Sequence, residues 1–181
     1  FADIGANIGV YTLSLYTNAK YIYAFEPETK NYNRIIRNIN INSINNVKVV
    51  KKALSSRCGK ARLYLNPIDD GGHSMNISSL KYENVDLIDL DGFVKNNHIK
   101  EMGVIKIDVE GAEVEVLRGA SNTIKKYKPS LLVEINNSLL KKAGNSPLEI
   151  YNLMANCKYN ANGLKDGHLK KINKQDIKNI I

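Results

Sequence analysis

Three stretches of this chain combine residue types that could do chemistry, and a fourth offers a lone imidazole. The first is Asp3-Ile4-Gly5-Ala6-Asn7-Ile8-Gly9. Gly5 suits a tight turn from a strand into a helix, and it lets a ligand approach the backbone. The helix start beyond it offers free N–H groups and partial positive charge to a carboxylate. Asp3, at the end of the strand, offers its own carboxylate to an ammonium group. The second stretch is Glu26-Pro27, with Asn31 one helical turn on; an acid in such a place accepts two hydrogen bonds from ribose hydroxyls. The third is the acidic run Asp108, Glu110 and Glu113, with Glu134 further along. The imidazole is His73, in the glycine-rich loop Gly71-Gly72-His73-Ser74.

These residues need elements to hold them, and the pattern supplies alternating strands and helices. Residues 1–4, 21–25, 47–50, 104–109 and 130–135 read as buried strands, the third continuing toward Leu54. Helices are expected over 10–16 and over 28–42, where Tyr32, Ile35, Ile36 and Ile39 share a face. Another is outlined by Val114, Val116, Leu117 and Ile124 and stops before Pro129. A further helix opens at Pro147, since proline suits a first turn. Residues 61–65, 77–80 and 85–90 read as short added strands around the loop Asp69-Asp70-Gly71-Gly72. The stretch 159–171 predicts a hairpin around Gly163 and Gly167, and 174–181 a last helix. Such alternation predicts an α/β fold: a doubly wound, Rossmann-like sheet, mostly parallel, with an antiparallel strand near the C-terminal end. Ligands of such sheets bind beyond the carboxyl ends of the strands. Asp3, Glu26 and Asp108 each fall at such an end.

A ligand meeting Asp3 and the helix start would carry both an ammonium and a carboxylate. S-adenosylmethionine has that amino-acid end; a pyrophosphate would gain nothing from Asp3. Nicotinamide-binding domains also use glycines and an acid, but space the glycines as G-x-G-x-x-G. Here Gly5 and Gly9 flank Asn7 instead. Gly5 with Glu26 points to a nucleoside, and these residues alone leave the choice of cofactor open.

Five ordered motifs and the strand after them, from residue 3 to about 136, resemble the FkbM family of methyltransferases. They are Asp3 to Gly9; Ala24-Phe25-Glu26-Pro27 with Asn31; Lys52-Ala53-Leu54-Ser55; Asp89-Leu90-Asp91-Gly92-Phe93; and Ile105 to Glu113, continuing to Val116-Leu117-Arg118-Gly119-Ala120. Leu132-Val133-Glu134-Ile135 resembles the strand that follows. The chain departs from the pattern at Asn136-Asn137, where many relatives carry a histidine. The resemblance implies a Rossmann-like methyltransferase domain that uses S-adenosylmethionine. It implies an acceptor hydroxyl on a sugar or other small metabolite. Asp3, Gly5, Ala6, Asn7, Gly9, Glu26, Pro27, Asn31, Ala53 and Leu54 are then the expected cofactor residues.

A hydroxyl acceptor must lose a proton at or after attack, and a carboxylate near the methyl group could take it. Asp108 is the first candidate for that base, Glu110 the second and His73 an alternative. Glu113 reads as favourable charge at a helix start, and Glu134 as a loop anchor. Several carboxylates together could instead hold Mg²⁺, though no metal is assigned. The competing readings are a nicotinamide-dependent oxidoreductase and a catalytically silent cofactor-binding module on the same fold.

Composition narrows the rest. The 181 residues suit a single domain, with residues upstream of Phe1 expected to be missing. The 26 basic residues against 18 acidic give a formal charge of +8, but the lysines are scattered and lack interleaved aromatics, so a nucleic-acid partner is not expected. Cys58 and Cys157 have no metal-ligand spacing and read as reduced thiols. No apolar run approaches the roughly 18 residues of a membrane span. A cytoplasmic location follows as an expectation, and oligomeric state stays open.

Overall fold

The computed structural model describes residues 1–65, 81–165 and 167–178. The chain runs β1 (Ala2–Ile4), α1 (Val10–Leu15), β2 (Ile22–Phe25), α2 (Thr29–Ile41), β3 (Val47–Val50), β4 (Ala53–Leu54), β5 (Gly59–Tyr64), β6 (Tyr82–Ile88), α3 (Leu90–Asn96), β7 (Val104–Ile107), α4 (Glu113–Gly119), α5 (Ser121–Tyr127), β8 (Ser130–Val133), α6 (Asn137–Lys142), α7 (Pro147–Asn156), β9 (Ala161–Lys165), β10 (His168–Ile172) and α8 (Lys174–Lys178).

Five strands form the central sheet in the order β3-β2-β1-β7-β8. Every pairing in it is parallel. This is the expected doubly wound α/β sheet. The order reverses between β1 and β7, and the crevice of such a sheet opens at that switch. On one face, Ile4, Phe25, Ile105 and Ile107 pack with Leu90, Leu117, Ile124 and Ile150 of the helices. On the other, Ala24 packs with Ile35 and Ile39 of α2. Each such aliphatic side chain, fully buried, contributes about 1.5–3 kcal/mol. The register lines up Val49, Ala24, Asp3, Lys106 and Leu132 as one row across all five strands. An acid and a lysine therefore sit side by side in the middle of the sheet.

Helix starts follow the expected chemistry. Glu28 caps α2 by accepting from the Asn31 N–H at 2.5 Å, and Asp89 caps α3 through the Gly92 N–H at 2.6 Å. Ser146 caps α7 ahead of Pro147.

Several boundaries differ from the sequence reading. The third strand does not run on to Leu54. The Lys52 N–H turns back to the Val50 carbonyl at 2.9 Å. Ala53 and Leu54 then pair with Leu87 and Ile88 of β6, in a separate three-stranded sheet. Leu90 starts a helix and does not end a strand, because Asp89 caps it. The single helix expected before Pro129 is two, α4 and α5, broken at Ala120. At the end of α4 a Cβ on Gly119 would lie 2.0 Å from the Ser55 carbonyl oxygen. That close approach ties α4 to the strand bearing Ala53 and Leu54. Helix α6 was not expected. The antiparallel strands near the C-terminal end are present, but β9 and β10 form a two-stranded sheet of their own. They turn at Gly167, and Gly163 lies within β9. The expected strand at 77–80 and the loop with His73 lie outside the described residues.

Gly5 is required for a reason other than ligand access. Its φ is +73, and a Cβ there would lie 1.8 Å from the Asp108 carbonyl oxygen. Gly5→Ala is expected to lower stability by about 2–5 kcal/mol through left-handed strain and backbone displacement. Gly103→Ala, where nothing lies within 4 Å, should change it little. Urea denaturation of the two variants checks the contrast.

Candidate functional site

A cleft opens beyond the carboxyl ends of β1, β2, β4 and β7. Gly5, Asn7, Glu26, Pro27, Asn31, Ala53 and Leu54 line it, as do Asp108 and Glu110. These residues, scattered over more than 100 positions of sequence, meet because four strands end at one rim. Leu63 of β5 adds an apolar lining residue that the sequence reading did not single out. It was legible only as one buried position of a short alternating strand.

Glu26 sits at the rim, 5% exposed. Its Oε2 accepts from the Asn7 N–H at 2.7 Å and its Oε1 from the Glu28 N–H at 2.9 Å. Burial pushes its carboxyl up to about 7, against the pull of those two N–H donors; nearby Glu28 adds to the rise and Lys106 offsets a little of it. Each carboxylate oxygen has a second lone pair, so a ligand hydroxyl can still be accepted. The Asn7 Oδ1 is buried and has no hydrogen bond among the described residues.

Asp3, Ala6 and Gly9 do not line the cleft. Ala6 packs into the α2 cluster, and Gly9 stands against Ile35. Asp3 is 0% exposed and turned away from the cleft. Its Oδ2 accepts from the Thr12 hydroxyl at 2.6 Å and the Thr12 N–H at 3.1 Å. Its Oδ1 lies 3.4 Å from the Lys106 ammonium. The carboxylate expected to meet a ligand's ammonium instead meets a lysine of its own chain.

Lys106 is the residue that sequence reasoning passed over, as a mere interruption in an apolar strand. It is 5% exposed. Its ammonium donates to the Gly5 carbonyl at 2.8 Å, and lies 3.4 Å from Asp3 and 3.3 Å from Asp108 Oδ2. The Tyr11 ring centroid is 5.3 Å away. A charge so enclosed in an otherwise apolar strand needs partners, since desolvating an unpaired ion costs several kcal/mol, of order 3–5. That need was the available signal.

Asp108 is 31% exposed, with one oxygen facing Lys106; it makes no other hydrogen bond among the described residues through its carboxylate. Glu110 stands on the turn beyond it with a left-handed φ of +51. Glu113 is 1% exposed, and its Oε1 accepts from the Gly111 N–H at 3.0 Å. Burial raises its carboxyl, opposed by the backbone donors of that turn. Through that hydrogen bond it braces the turn at the start of α4. Glu134 is exposed, and its N–H extends the ladder to the Ile107 carbonyl at 2.9 Å. Among the described residues, no three acidic, histidine or cysteine side chains gather as a metal ion requires. His73 lies outside the described residues. No described helix is long and apolar enough to cross a membrane.

Strand order and cleft together define an α/β protein with a Rossmann-like methyltransferase fold. Residues 3–161 match the methyltransferase FkbM domain, and the chain belongs to that family. It is 29% identical over 156 residues to the hexuronic acid methyltransferase AglP of Haloferax volcanii, covering 86% of this chain and 61% of that protein. It is 27% identical over 161 residues to methyltransferase 1 of Beauveria bassiana, covering 75% and 64% respectively. The chain thus spans a little under two thirds of the length of these relatives. Its fold is similar to the crystal structure of methyltransferase FkbM from Methylobacillus flagellatus KT, with a TM-score of 0.63 and 18% identity; the likeness covers 94% of this chain and 41% of that one. The family membership sets aside the nicotinamide-dependent alternative.

Lys106→Met would leave Asp3 buried without its cation. The expected loss of stability is about 3–5 kcal/mol. Adding Asp3→Asn should recover part of it, because the remaining charge is removed. Thermal denaturation of the single and double variants checks this.

Proposed function

We propose that this chain transfers a methyl group from S-adenosylmethionine to a hydroxyl of a sugar or other small metabolite, acting as one domain in the cytoplasm. The observation that carries the reading is that Glu26 and Asp108 line one cleft, with the Gly5–Asn7 turn between them. The donor set fits the cofactor. Glu26 would accept the ribose hydroxyls. Ala53, Leu54 and Leu63 form an apolar wall suited to a flat base. The unpartnered Asn7 Oδ1 is an acceptor for a ligand donor. Asn31 and Pro27 close the ribose side.

When bound, S-adenosylmethionine supplies an electrophilic methyl group. The protein's part is to hold the acceptor in line and to take its proton. Asp108 is placed for the second task. Lys106 lies 3.3 Å from one of its oxygens, and the residue lines the cleft. Glu110, on the next turn, is the second candidate for the base, and His73 remains an alternative. The hexuronic acid relative supports a sugar acceptor. Isotope-labelled S-adenosylmethionine, offered with hexuronic acids, neutral sugars and small phenols, tests the reading. S-adenosylhomocysteine binding without methyl transfer to any of them would favour a silent module.

Two expectations follow from the acids. An ionised Glu26 accepts ribose hydroxyls better than a protonated one. Its carboxyl titrates near 7 in the folded chain. Affinity for S-adenosylhomocysteine should therefore fall as pH drops through that value. Glu26→Gln should flatten the dependence and weaken binding by about 1–3 kcal/mol, the range for a hydrogen bond to a charged group. Titration calorimetry on either side of neutrality reads both.

Asp108→Asn should cut turnover about 10²- to 10⁴-fold, as loss of a general base does, with cofactor affinity nearly kept. Steady-state kinetics on the first acceptor found reads this. Full specific activity in folded Asp108→Asn protein would move the base to Glu110 or His73.

A further inference from the structure

The hairpin of β9 and β10 carries two leucines, Leu164 and Leu169, each 75% exposed. They are the most exposed large hydrophobic side chains among the described residues. They are direct cross-strand partners, so they stand side by side on one face of the ribbon. Asn162 and Lys171, the next pair on that face, are also exposed. The opposite face carries Ile172, half-buried and close to Gly163 of the same ribbon. The leucine pair therefore stands in solvent, near the tip that turns at Gly167.

The surroundings are basic. Residues 158–178 hold six lysines against two aspartates and no arginine. Lys171 is exposed on the leucines' face, Lys170 is exposed on the other face, and Lys174 is exposed just beyond the ribbon. The family match ends at residue 161, so nearly the whole ribbon lies outside the matched region.

We propose that this ribbon docks the protein on an anionic lipid surface, with Leu164 and Leu169 entering the acyl boundary and the lysines on the headgroups. Exposed apolar side chains gain free energy only by leaving water. A narrow two-leucine tip fits a soft surface better than a preformed protein pocket. Lysines extend their stems along the apolar layer and keep their charge among anionic headgroups. Peripheral attachment needs two weak signals together, one apolar and one electrostatic, and the ribbon carries both. Nucleic acid is a poorer fit: residues 161–172 contain no Phe, Tyr, Trp or arginine to stack on bases, and His168 is their one ring. A second copy would bring like charge against like charge. The proposal does not depend on which acceptor the cleft takes.

The test is sedimentation of the 181-residue chain with vesicles of phosphatidylglycerol mixed with phosphatidylcholine, and with vesicles of phosphatidylcholine alone. Binding is expected to the first and not to the second, and to weaken with salt. Leu164→Ser with Leu169→Ser should reduce it about tenfold or more, as loss of an inserted apolar anchor does. Lys170→Glu with Lys171→Glu should reduce it similarly, through the electrostatic half. Circular dichroism and S-adenosylhomocysteine affinity should stay unchanged in both variants. No binding to anionic vesicles overturns the proposal, as does binding that the serine pair leaves intact. So does a shift from dimer to monomer in the serine variant with vesicle binding kept, which would assign the face to a second copy.

Discussion

A buried ammonium in the middle of a parallel sheet organises this protein. Lys106 lies within 3.4 Å of carboxylates on both sides, and donates to the carbonyl of the residue that turns β1 toward α1. Removing such a charge from water is costly, and only a matched set of partners offsets it. Asp3 supplies one counter-charge and is itself fixed by two donors from Thr12. That ties α1 to β1. Gly5 is held between Lys106, the Asp108 backbone and the Phe25 carbonyl, so the turn that opens the cleft has little freedom. Asp108 sets one oxygen against the lysine and lines the cleft.

Two of the acids that line the cleft, Glu26 and Asp108, have different surroundings. Glu26 is almost fully enclosed, and its nearest partners are neutral N–H groups, so burial dominates and its proton is held to about neutrality. Asp108 stands partly in solvent beside a cation. In the proposed reaction Glu26 meets the ribose and Asp108 the acceptor, each standing just beyond the end of a parallel strand.

The small sheet β4-β6-β5 is the other half of the construction. It is joined to the main body where Ala53 and Leu54 leave the path of β3, and by Gly119 pressed against Ser55. That departure brings Leu54 and Leu63 to the same cleft as Glu26. The β9–β10 ribbon belongs to neither sheet, and its leucines take no part in either core.

Read alone, the sequence was enough for the alternation of strands and helices, the doubly wound sheet, the family, and the cluster of Gly5, Asn7, Glu26, Pro27, Asn31, Ala53 and Leu54 around one opening. Those properties rest on local signals: period, caps, turn residues and motifs that each follow a strand. The tertiary structure alone decided which way the acids point. Asp3 looked like a ligand for an ammonium group, and it is one, but the ammonium belongs to Lys106, 103 positions away in sequence and adjacent in register. The break after Val50, the division of α4 from α5, and the wall formed by Leu63 likewise depend on neighbours that no local window contains. Pairing across strands brings distant residues within hydrogen-bond reach, and the electrostatics of a buried site are set by those contacts.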